Sequence, residues 1–137
     1  MAKTKSKKPL PEKKEFIYFQ MHPGTFDHCI NVIISEDLDE CASFVNKKFE
    51  TVGFSRDDFQ AQGKVFMSSP YCPILWLPRK PISISEQGTL IHELLHLVFT
   101  VTDWAGIRLS PDSEEVYTHL LKYFYKQFYE KLTPNEE

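Results

Sequence analysis

The sequence predicts an α+β fold: one helix, a small mixed or antiparallel sheet of three to five strands, then two further helices. Three observations carry that reading. Four short runs rich in β-branched and aromatic residues (15–21, 29–34, 64–68 and 73–77) are bounded by turn formers. A single stretch between the second and third runs has helical period. The last third of the chain is helical almost throughout, interrupted at one glycine.

Taken in order, residues 15–21 alternate Phe16 and Tyr18 with Ile17 and Phe19, which suits a strand, and Pro23-Gly24 turns the chain. Residues 29–34 (CINVII) form the second strand. Residues 38–49 place Leu38, Cys41, Phe44, Val45 and Phe49 at helical spacing, with Asp37 or Ser35 to cap them and Gly53 to end the pattern. A polar connection over 54–63 leads to the strands 64–68 and 73–77. Pro70, Pro73 and Pro78 surround the latter, which predicts an edge strand. Ser83 with Glu86 forms a capping-box pattern opening a helix that runs to Ala105, with Gly106 as its stop. Ser110-Pro111 predicts the start of the final helix, which runs to about Leu132, before Pro134. Its aromatic residues are expected in the core.

The chain has 137 residues, 42 % apolar and 14 % aromatic, enough for one core and too short for two. Residues 15–137 are expected to form that single domain. Residues 1–14 hold six Lys and one Glu and read as a disordered tail, while the remainder carries −8. The tail is the sole feature pointing to nucleic acid. No apolar run is long enough to span a bilayer, and the start lacks the apolar core of a signal peptide, so a cytoplasmic protein is expected. Cys29, Cys41 and Cys72 are odd in number and widely spaced, which predicts small buried hydrophobes rather than disulfides or a thiolate metal site.

The chemistry lies in residues 89–101, TLIHELLHLVFTV. His92 and His96 are four apart, so both imidazoles leave one helical face and can converge on one ion. Glu93 points sideways, within reach of a water at that ion. This is the His-Glu-x-x-His spacing of zinc peptidases. With five His and twelve Glu in the chain, the pattern arises by chance about 1–2 times in 100, so its context matters. That context is an apolar helix followed, 18 and 19 residues after His96, by Glu114 and Glu115 on the next helix. An antiparallel return can bring back a third ligand.

The stretch from Ser83 to Leu132 resembles the zincin metallopeptidases whose third ligand is a glutamate on a following helix, especially small members encoded by bacteriophages. The matching residues are HELLH and then DWAGIRLSPDSEEVYTHLLKYF. The resemblance implies a minimal zincin-like fold in which zinc is bound by His92, His96 and Glu115, with Glu93 as general base. Aligning DSEEVYTHL with that pattern selects Glu115, whereas the helical wheel sets Glu114 beside Leu121 and Tyr125, nearer the apolar face. His119 stands where such helices often carry an Asp that braces a zinc-bound histidine; a ligand-orienting role, an oxyanion contact and an ordinary surface histidine all remain open. Asp103 is a candidate to accept a histidine N–H, or part of the helix terminus. His22 and His28 have no partner spacing.

The resemblance also implies that a peptide substrate adds to the strand before the metal helix, read here as 73–77, with Arg79 and Lys80 at its end. A zinc-binding structural or assembly protein of a phage virion, keeping the scaffold without turnover, is the rival reading. If phage-encoded, either would act in the host cell or the virion, with peptide substrates or phage structural proteins as partners.

Overall fold

The computed structural model describes residues 14–24, 29–68 and 72–133. The Lys-rich tail, apart from Lys14, and His28 lie outside the described residues. Strands β1 (Ile17–Met21), β2 (Ile30–Ile34), β3 (Lys64–Met67) and β4 (Pro73–Leu77) form one mixed sheet in the order β1-β2-β4-β3. The β1–β2 and β3–β4 pairs are antiparallel, and β2–β4 is parallel. Helix α1 (Leu38–Lys48) lies on one face; α2 (Ile84–Trp104) and α3 (Glu114–Leu132) lie on the other. The fold is α+β, as the sequence indicates.

The middle strands read INVII and PILWL, and every residue in both is buried. A strand covered on both faces has no polar side to alternate with, so a continuous apolar run is its signature. Strand β4 is therefore central, contrary to the edge position its prolines suggested. Pro73 is the first residue of the strand and sits opposite Met67, at the end of the β3–β4 ladder, where a missing N–H is tolerated. The free edges are β1 and β3.

Successive residues of the middle strands feed opposite layers. Val32, Ile34, Leu75 and Leu77 meet Leu90, Leu94, Leu97, Val98 and Val101 of α2 and Phe124 and Phe128 of α3. Ile33, Ile74 and Trp76 meet Cys41, Ala42 and Val45 of α1, together with Phe59. Phe59 follows a single 3₁₀ turn, Arg56–Asp58, within the connection expected to be merely polar. The structure closes that turn with a capping box between Ser55 and Asp58 and buries the aromatic ring behind it.

Asp37 caps α1 by accepting from the Glu40 N–H at 3.1 Å. The Ser83–Glu86 capping box opens α2 reciprocally, at 3.1 and 3.0 Å, and Gly106 takes φ +69° just beyond its end. Helix α3 begins at Glu114, three residues after Pro111. The intervening SPDS segment is a turn in which the Ser113 hydroxyl accepts from Ser110 N–H and donates to the Arg108 carbonyl. That turn uses the residues that would otherwise have opened the helix. Of the α3 aromatics, Tyr117, Phe124 and Phe128 are buried, while Tyr123 and Tyr125 are exposed. All three cysteines are free; Cys41 is buried, and Cys29 and Cys72 are half-buried. Burial pushes the Cys41 thiol up to about 11, leaving it protonated and inert at neutral pH.

Candidate metal centre

Helix α2 is amphipathic in an uneven way. Its sheet-facing side carries Leu90, Leu94, Leu97, Val98 and Val101, all buried. The opposite side carries His92 and His96 with Ile91, Leu95 and Phe99, all exposed. Glu93 falls between these sides and is only 7 % exposed, whereas the His92 side chain is 69 % exposed. The expectation that all three polar groups interrupt a buried apolar helix therefore holds for Glu93 alone. The histidines occupy the solvent side, so burial does not force them to find a partner.

The two imidazoles nevertheless converge. His92 Nε2 and His96 Nε2 are 3.2 Å apart, with the rings edge to face, and His92 Nε2 lies 3.9 Å from Glu93 Oε1. Ligand atoms of these three residues all lie within 4.8 Å of one another. A tetrahedral zinc ion with bonds of about 2.0–2.1 Å sets nitrogen donors about 3.3 Å apart. The separation of the two nitrogens fits that requirement, and the donor set of two imidazoles beside a carboxylate suits zinc chemically.

Glu115 and Glu114 are not in this group. The Glu115 carboxylate is paired with His119 at 3.2 Å, one turn along α3, and its side chain is 85 % exposed. Glu114 is likewise exposed. The structure thus joins Glu115, the expected third ligand, to His119, whose role the sequence left open, and joins neither to the His92–His96 pair. Asp103 lies on the same side of α2 as His96, two turns on, and makes no hydrogen bond to either histidine among the described residues. His22 is remote in role: its backbone N–H and carbonyl pair with the Gln127 side-chain amide.

Two clefts meet at the histidines. A larger one of about 800 Å³ runs along α2 from Glu93 and His96 to Asp103, walled by β3 and closed by Ile107–Leu109 and Tyr117. A smaller one of about 440 Å³ lies on the other side, among Gln62, Ser85, Gly88, Thr89 and His92. Gly63 and Glu93 belong to both. Gly63, immediately before β3, is closely packed: a Cβ there would sit 2.9 Å from methyl groups of both Leu77 and Thr89, and 3.4 Å from Glu93 Cγ. The sequence marked Gly63 only as the end of a loop.

The wall beside the histidines is thus the free edge of β3, not β4. Arg79 and Lys80, expected near a substrate group, are engaged elsewhere. Arg79 bridges Glu36 at 3.1 Å and Glu86 at 2.7 Å, and Lys80 pairs with Glu15 at 3.4 Å. The Ser83 backbone N–H and hydroxyl, reinforced by Ile82 N–H and Arg79, pull the Glu86 carboxyl down to about 2. The Arg79 guanidinium is pushed up by Glu36 and Glu86. Tyr117 lines the larger cleft, but its hydroxyl donates to the Ile107 carbonyl at 2.8 Å and is already committed. Among the described residues no helix is long and apolar enough to cross a membrane. No family model matches the chain, and neither a curated protein nor a solved structure is similar to it.

Proposed function

We propose that the protein is a zinc-dependent peptide hydrolase centred on His92, Glu93 and His96. The observation that supports this best is the convergence of the two Nε2 atoms at 3.2 Å beside a buried carboxylate, at the junction of two clefts. A zinc ion held there would supply an acidified water and an electrophilic contact for a carbonyl oxygen. His92 and His96 would hold the ion as neutral imidazoles. Glu93, set off the imidazole side and lining both clefts, would take a proton from the attacking water and return it to the departing amine. The new C–O bond would form first and the C–N bond break once the nitrogen has received the proton from Glu93, so the proton balance closes on Glu93. The free edge of β3 offers backbone donors and acceptors to an extended chain.

Glu115 would join as third donor by leaving His119; the second reading, a zinc-binding scaffold of a virion or assembly without turnover, uses the same ligands. Glu93→Gln separates the two. Glutamine keeps size and hydrogen bonding but cannot accept the proton, so zinc content is retained while cleavage of a peptide library falls about 10²–10⁴-fold. Zinc retained with undiminished cleavage removes Glu93 from the chemistry. A zinc-loaded wild type that cleaves nothing favours the scaffold.

A further inference from the structure

Helix α2 carries no Lys or Arg, and its three acids, Glu86, Glu93 and Asp103, leave one side of it free of charge. That side is a band of Ile84, Gly88, Ile91, Leu95 and Phe99, spaced at helical period. A surface helix normally carries its charged residues on the outer face. Here Ile84 is 92 % exposed, and Ile91, Leu95 and Phe99 are each more than a third exposed. Helix α3 widens the band. Phe99 stacks on Tyr117 at 5.5 Å, and the Tyr129 hydroxyl donates to Gln87 Oε1 at 2.6 Å, which fixes the antiparallel register of the two helices. The same register sets Tyr125, also exposed, level with Ile91, and half-buried Leu121 level with Leu95.

Two properties of the band identify what covers it. The first is area. Ile84, Ile91, Leu95, Phe99 and Tyr125 together leave about 500 Å² in solvent, over half of the roughly 800 Å² that each partner gives to a stable interface. The second is that the band complements itself. Two α2 helices laid antiparallel about a two-fold axis between Ile91 and His92 set Leu95 opposite Gly88, and Phe99 opposite Ile84. A Cβ at Gly88 meets nothing within 4 Å, so the space above it is open to a partner's leucine. Large residues facing small ones are what let two helices interdigitate. We propose that this face joins two copies of the chain, α2 on α2, about a two-fold axis. The contact goes beyond the hydrolase reading and rests on apolar packing, with no ion required. It borders the candidate metal centre, because Phe99 also lines the larger cleft and Gly88 the smaller.

Sedimentation velocity on the full chain, between about 1 and 100 µM, tests this. The expected result is a monomer–dimer equilibrium in the micromolar range, the same within about twofold in zinc and in chelator. Leu95→Glu places two carboxylates in the symmetric contact and should weaken it about 100-fold. Gly88→Leu fills the space that the partner's Leu95 needs and should weaken it about tenfold, although leucine favours a helix over glycine and the fold is kept. Val52→Glu, on a residue 99 % exposed outside the band, should leave association unchanged. A monomer at every concentration overturns the proposal and leaves the band to an unrelated partner. Dimers indifferent to Leu95→Glu and Gly88→Leu, or formed only with zinc, overturn it as well.

Discussion

The two faces of the sheet are built from alternate residues of the same two strands, yet one is closed and the other is not. On the α1 face, Trp76 lies edge-on to Phe59, and Phe59 edge-on to Phe66, while the indole N–H donates to the Ser35 carbonyl at 3.0 Å. Asn46 ties the loop after α1 in place through Thr51 and both backbone groups of Phe54. On the α2 face, the helix meets the sheet tightly at Gly63 and then runs along β3 with a cleft between them. The larger buried cluster lies beneath α2 and α3, so that face is packed as well and opens only along β3. On that open side two histidines and a strand edge are exposed.

The largest expected effect tests that division directly. Trp76→Ala removes a fully enclosed indole and its hydrogen bond and should cost about 3–5 kcal/mol in denaturant unfolding. His92→Ala, on an exposed position, should shift metal-free stability by no more than about 0.5 kcal/mol. Comparable losses for the two would break the comparison. At the boundary, Gly63→Ala forces a Cβ against the Leu77 and Thr89 methyls and should cost about 1–3 kcal/mol. Adding Thr89→Ser, which deletes one of those methyls, should recover part of it.

Zinc sharpens the contrast. At 100 times its dissociation constant, zinc should raise the unfolding free energy by about 2.7 kcal/mol, and this gain should vanish in His92→Ala. The smallest effect concerns acid. Glu86 is held at about 2 in the folded chain against an ordinary 4.5, so its contribution is complete above pH 4.5 and is lost as pH falls towards 2. Glu86→Gln should therefore narrow its stability gap to the wild type across that window. A gap that widens on acidification would contradict the capping geometry.

What was legible in the sequence was local. The Ser83–Glu86 box, the Asp37 cap and the four-residue histidine spacing each depend on contacts within one turn, and each appears as read. What was not legible depends on distant partners. The place of β4 in the sheet is fixed by β2 and β3 on either side, and the flanking prolines outweighed the uninterrupted apolar run that marked it as central. The start of α3 was displaced by Ser113, whose hydroxyl turns back to Arg108. Glu115 matched the family pattern by alignment, but its side chain is held by His119, a contact that competes with any reach across to α2. Gly63 carried no motif at all; its role follows from Leu77 and Thr89.

We propose that His92 and His96 together hold a zinc ion. It is tested most directly by elemental analysis of purified protein alongside its His92→Ala, His96→Ala, Glu115→Ala and Glu93→Gln variants. The expected result is about one zinc per chain in the wild type and in Glu93→Gln, and loss in both histidine variants, since each removes one of the two converging imidazoles. Loss in Glu115→Ala as well would show that this carboxylate leaves His119 to become the third donor. Zinc content unchanged in His92→Ala and His96→Ala would contradict the account.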